Sequence, residues 1–189
     1  MATDGGIAFL IERLARLMRA NEHSEGLNPA QWEAIRFLSR ANRFSNSPGA
    51  LTRYLGATKG TISQTILALV RKGYVTKAIR SEEKRSVQLA LTGAGRDMLE
   101  KDPWQRLEEA SKDLSDKTRR RMAKGAKSLI SGELRRKGSP SFGDCTTCRY
   151  FREDGHENHP QGPHLCMHFN SPLTDSERTG ICVAHEDAG

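Results

Sequence analysis

Apolar residues recur at helical spacing through about residue 136 and lose that order in the remainder of the chain. Ile7, Leu10, Ile11, Leu14, Leu17 and Met18 mark one face of a first amphipathic helix. Asn28-Pro29 predicts the start of a second helix, because Asn28 can cap and Pro29 suits the first helical position. Its apolar face is Trp32, Ile35, Phe37 and Leu38. Ser47-Pro48 repeats the signal for a short third helix carrying Leu51, Tyr54 and Leu55, and Gly56 is placed to end it in the left-handed region. Thr58 caps a fourth helix with Ile62, Ile66, Leu69 and Val70 along one side, and Gly73 ends it.

The period then changes. Tyr74, Val75 and Ile79, followed by Val87, Leu89 and Leu91, read as two short strands around the charged stretch Arg80-Ser81-Glu82-Glu83-Lys84-Arg85. Thr92 opens a long helical region through about residue 136. Pro103 is expected to kink or split it, and Ser115-Asp116 can restart it. Leu107, Leu114, Met122, Leu129, Ile130 and Leu134 supply its apolar positions. Lys137-Gly138-Ser139-Pro140 reads as a linker. The expected domains are therefore 1–137, mainly α with a small β wing, and 138–189, a small irregular Cys-rich metal domain. Helix signals are absent from 141–189, so its order is expected to come from its cysteines.

Charge divides at the same place. Residues 1–137 hold 27 Lys/Arg against 15 Asp/Glu, whereas 138–189 hold 3 against 8. A basic body suits a polyanion, and the acidic tail does not. No apolar run is long enough for a membrane span. The N-terminus lacks the basic start of a signal peptide and carries Glu12 and Arg13 inside its apolar stretch, which predicts a cytoplasmic protein.

A short helix, a tight turn at Gly56-Ala57 and a second helix make a helix-turn-helix, and the two strands make a wing. In such motifs the second helix enters the major groove by its N-terminal end. Here that end is Thr58, Lys59, Gly60, Thr61, Ser63, Gln64 and Thr65, short hydrogen-bonding residues with one amine and no acid. Arg80, Lys84 and Arg85 at the wing are candidates for phosphate or minor-groove contact. Each residue read alone is an ordinary exposed polar group; the reading rests on the unit.

LTRYLGATKGTISQTILALVRKGYV and IRSEEKRSVQLALTGAG, with the order of helices and wing over about residues 5–136, resemble the MarR family of transcription regulators. The family's wing usually carries an Asp-x-Arg-Asp-x-Arg pattern, whereas Arg80–Arg85 here shifts or lacks those acidic positions. The resemblance implies a homodimer built from the first and last helices, binding a pseudo-palindromic double-stranded operator. Two-fold dimers and two-fold operators go together.

All four cysteines lie in the tail, at Cys145, Cys148, Cys166 and Cys182, in the pattern C-x2-C-x17-C-x15-C. In a reducing cytosol such a cluster favours metal over disulfides. Zinc would make a closed four-thiolate knuckle, and a [4Fe-4S] cluster also takes four cysteines. Cys145-Thr-Thr-Cys148-Arg-Tyr150-Phe151 and Gly180-Ile-Cys182 are similar to the surroundings of the cluster in high-potential iron–sulfur proteins. The [4Fe-4S] cluster is the preferred expectation and zinc the alternative. His156, His159, His164, His168 and His185 share the tail, and His164, two residues before Cys166, and His185, three after Cys182, are the best substitute ligands.

These features predict a DNA-binding regulator whose cluster senses redox or iron status and modulates operator binding. The alternative is a MarR-like regulator with a structural zinc tail and a small-molecule effector. An enzyme is not expected: four thiolates saturate a metal, and no Ser/His/Asp set or phosphate-cradling glycine loop is present.

Overall fold

The computed structural model describes residues 6–79, 87–156 and 158–188. Among these residues, seven α-helices, a two-stranded wing and a small three-stranded sheet follow one another, with one further helical turn near the end. Helix α1 spans Ile7–Arg19, α2 Pro29–Arg40, α3 Pro48–Leu55 and α4 Lys59–Arg71. Each expected start signal is used. Asn28 accepts from the Gln31 N–H in a reciprocal capping box, Ser47 from Ala50 and Thr58 from Thr61. Gly56 ends α3 at φ 62°, a conformation that costs a residue without a Cβ little.

Strands β1 (Val75–Ile79) and β2 (Val87–Leu91) pair antiparallel from Val75↔Leu91 to Ile79↔Val87. The main core gathers Trp32, Ile35, Phe37, Leu51, Ile62, Leu69 and Leu89 between α2, α3, α4 and the wing. The close seat of α5 (Gly93–Asp97) on the wing needs Gly95, where a Cβ would lie 2.1 Å from the Tyr74 carbonyl oxygen.

The long helical region after Thr92 is broken more than expected. It runs as α5, a 3-10 turn at Met98–Lys101, α6 (Gln105–Lys112) and α7 (Asp116–Arg136). Asp102 stands extended before Pro103, as the residue before proline must, and Ser115 caps α7. Helix α1 buries only Met18, and α6 and α7 bury nothing. Ile7, Leu10, Leu17, Met122, Leu129 and Ile130 are all more than half exposed.

The tail corrects the expectation of an irregular segment. Strands β3 (Phe151–Arg152), β4 (His164–Cys166) and β5 (Ser171–Leu173) form an antiparallel sheet in the order β3-β4-β5. Thr174 and Glu177 then close a capping box on α8, Asp175–Arg178. Leu173 is fully buried, and with Cys145 and Cys166 it forms a second small core against Phe44 and Phe151.

Candidate DNA-reading surface and cysteine centre

The first turns of α4 present Lys59, Gly60, Thr61, Ser63 and Gln64 to solvent, while Ile62, Ile66 and Leu69 face the core. Thr58 is exposed at the cap, and its hydroxyl lies 2.9 Å from that of Thr61. No acidic residue stands in this first turn. Thr65 departs from the expected set. It is 7% exposed, and its hydroxyl donates to the Thr61 carbonyl at 3.0 Å, so it belongs to the packing side of the helix. Arg80, Lys84 and Arg85 lie outside the described residues.

In the tail, Cys145, Cys166 and Cys182 are buried and Cys148 half-buried, and all four are free thiols. The backbone brings them together. A 3-10 turn joins Cys145 to Cys148, Cys166 sits opposite Phe151, and the Cys182 N–H donates to the Gly143 carbonyl at 2.9 Å. Burial pushes the Cys145 thiol up to about 12, and the neighbouring sulfurs of Cys182, Cys166 and Cys148, then Asp144, push the same way. Burial also raises Cys182, with hydrogen bonds from Ala184 and Asn42 opposing, and the Cys166 and Cys148 sulfurs adding to the rise. These shared influences place the cysteines in the same neighbourhood of the tail. Even so, among the described residues no three His, Cys, Asp or Glu side chains close around a position for a single metal ion.

Neither buried histidine is free to replace a cysteine. His164 Nδ1 accepts the Asp154 N–H at 3.1 Å, and Nε2 lies 3.2 Å from Asp175 Oδ1. His185 Nδ1 lies 2.6 Å from Ser141 Oγ, and Nε2 lies 2.9 Å from Thr147 Oγ1. Both rings brace the loops that carry the cysteines. Gly143 has no room for a side chain, since a Cβ there would lie 2.5 Å from His185 Cε1.

No local signal in the sequence indicates where the tail sits. It lies against residues 40–47, the connector between α2 and α3. Ile181 exchanges hydrogen bonds with it, N–H to the Arg40 carbonyl at 2.7 Å and carbonyl from the Asn42 N–H at 3.1 Å. The Val183 N–H donates to the buried Ser45 Oγ at 2.8 Å. Arg43 pairs with Glu177 at 2.6 Å, and also donates to Ser171 Oγ at 2.9 Å and to the Pro172 carbonyl. Phe142, held at φ 51°, meets Tyr54 of α3 edge-on at 5.2 Å. Ile181 and Val183 pack on the main core. The Thr174-x-x-Glu177 capping box was a readable signal for α8; the docking itself had none.

The MarR family model matches residues 25–86, from the approach to α2 through the wing. Solved structures with the same fold include a point mutant of MepR from a multidrug-resistant S. aureus clinical isolate. It is 15% identical, with a TM-score of 0.59 over 69% of this chain and 99% of that one. A MarR transcriptional regulator from Methanosarcina mazei Go1 is 24% identical, with a TM-score of 0.55 over 68% of this chain and 96% of that one. The S. aureus MepR–DNA complex is 15% identical, with a TM-score of 0.55 over 68% of this chain and 99% of that one. At these identities the likeness carries the fold, and each match leaves about a third of this chain uncovered. No curated protein matches the chain.

Proposed function

We propose that this protein is a DNA-binding transcription regulator of the MarR type, and that its C-terminal thiolate centre modulates operator binding. The observation that carries the DNA reading is α4. Its exposed N-terminal turns offer Lys59, Thr61, Ser63 and Gln64 without an acid, on the helix that the fold of the MepR–DNA complex also contains. The family match over 25–86 supports a regulator rather than an enzyme. A homodimer follows the same reading: the exposed faces of α1 and α7 are too large to leave to solvent, and a two-fold partner would cover them. No helix among the described residues is long and apolar enough to cross a membrane.

What supports a soft metal centre is the donor type: four free thiols in the tail, three of them buried, with both nearby histidines already engaged. A zinc ion draws its thiolates to about 2.3 Å around one point. The aromatics Tyr150 and Phe151 beside the first cysteine pair, and the Gly180-Ile-Cys182 approach to the last, favour a [4Fe-4S] cluster, which Cys145, Cys148, Cys166 and Cys182 would hold. When bound, such a group supplies a centre whose assembly follows iron supply and whose charge follows redox state. The chain's part is to hold four sulfurs out of water and to join their loops to the connector ahead of α3. Residues 40–47 then make the reader sensitive to the order of the tail. Across a dimer the reading helices must sit about 34–36 Å apart, so small shifts matter. The alternative is a structural zinc tail with a small-molecule effector, supported by the broad cleft of about 1470 Å³ between α2, α7 and the tail.

Operator binding by the anaerobically prepared protein and by its Cys166→Ala variant tests the proposal. The variant is expected to shift operator affinity while keeping the helical signal of the body. Equal affinity in the two would leave the DNA reading standing and remove the sensor.

A further inference from the structure

We infer that Arg36 is a positioning residue for DNA reading: it fixes the dimer helices against the reader and so sets the span between the two α4 helices. This rests on the reading of the chain as a homodimer on a two-fold operator. Arg36 lies on α2, whose apolar side packs into the main core with Ile62, Ile66 and Leu69 of α4. Its guanidinium meets two buried carboxylates from distant parts of the chain. Nη2 donates to Glu22 Oε1 at 2.5 Å, just past the end of α1. Nε lies 2.9 Å from Asp102 Oδ2, just ahead of α6, off the line of a hydrogen bond, so charge holds that contact. Trp104 completes the group. Its indole N–H donates to Glu22 Oε1 at 2.8 Å and its backbone N–H to Asp102 Oδ1 at 3.0 Å, with the guanidinium 5.4 Å over its ring.

Elsewhere the dimer helices grip the body weakly. Helix α1 buries only Met18, and α6 and α7 bury nothing. The neighbouring Lys101–Glu25 pair at 3.1 Å joins the same two segments but is exposed, where an ion pair is worth little. The angle at which α1 and α6 leave the reader is therefore set at the cluster where both meet α2. A buried ion cluster suits that task better than it suits stability. Apolar residues of similar volume often hold a fold as well, whereas these charges are satisfied in one arrangement only. The planar fork of an arginine fixes the direction of both its contacts. Across a two-fold axis any tilt at Arg36 acts twice. The reading helices must span about 34–36 Å, and one base pair is a step of about 3.4 Å along the duplex.

Arg36→Lys is the first test, since it keeps the charge and loses the fork. A triple variant, Arg36→Met with Glu22→Gln and Asp102→Asn, removes the charges together and leaves no carboxylate buried without its partner. The probe is a duplex selected by the wild-type chain from a random-sequence pool. It is compared with versions one or two base pairs longer or shorter at the centre, and with a duplex that carries a single half-site. Two linked readers gain roughly 10²–10⁴ in affinity over one when the geometry lets both engage. In both variants, dimeric by sedimentation, the single half-site is expected to bind as in wild type. The gain from the second half-site should fall by about tenfold or more, and the preference for one spacing should flatten. Equal losses on half-site and full operator with the spacing preference kept, or loss of the dimer, would make Arg36 a stability residue and overturn its positioning role. Wild-type behaviour on every probe would overturn it too. A wild-type chain that selects no duplex, or that is monomeric, would overturn the reading of a homodimer on DNA, and this proposal with it.

Discussion

Arg43 and Glu177 form an ion pair at 2.6 Å that joins the α2–α3 connector to the cap of α8, 134 residues further along the chain. The guanidinium also donates to Ser171 Oγ and the Pro172 carbonyl, and it stacks over Phe44 at 4.8 Å. Arg43→Ala is expected to loosen the tail at a cost of about 1.5–3 kcal/mol, the range for hydrogen bonds to charged groups. Limited proteolysis should then cut within 141–188 sooner than in wild type, with the body intact. Unchanged cleavage would mean that the tail is held by its other contacts.

Gly143 offers a second probe of the tail. Gly143→Ala drives a methyl group into the His185 ring, which is fixed on both nitrogens by Ser141 and Thr147. Overpacking of this kind costs about 1–3 kcal/mol. Faster hydrogen exchange at the Cys182 amide, which donates to the Gly143 carbonyl, is the expected readout.

On the reader, Gln64→Ala should relax sequence preference by about 1–3 kcal/mol if the side chain meets a base edge. Lys59→Ala should weaken all sequences alike and lower the salt slope by about one. Binding titrations on operator and scrambled DNA at several salt concentrations separate the two effects.

Most of the reading unit was legible because its signals are local. Asn28, Ser47 and Thr58 cap the helices they were expected to cap, and Val75 to Leu91 pair as the alternation implied. Thr65 reads as a polar group in sequence, whereas in the fold its hydroxyl is satisfied by the Thr61 carbonyl one turn back and turns inward. The tail was the least legible part. Its sheet is made of strands of two or three residues, too short for a period to appear, and its docking depends on pairs such as Ser45 with Val183 that lie far apart in sequence.

Glu33 sets a pH dependence in the body. Burial first, and then the charge of Glu22, hold its carboxyl above the ordinary 4.5, against the pull of Arg36 and Arg19. The folded chain thus binds this proton more tightly than the unfolded one. The stabilisation is complete below pH 4.5 and is lost as pH rises through the raised value. Glu33→Gln should flatten that part of the stability curve in denaturant titrations from about pH 4 to 8. A slope equal to wild type would assign the effect to other groups.

The iron–sulfur reading of the tail meets its sharpest check in the visible absorption spectrum of the anaerobically purified protein, taken with iron, sulfide and zinc counts on the same sample. A coloured protein with about four irons and four sulfides per chain, bleached by Cys166→Ala, is the expected result. A colourless protein with one tightly held zinc per chain would contradict it and leave the tail a structural staple on the reader.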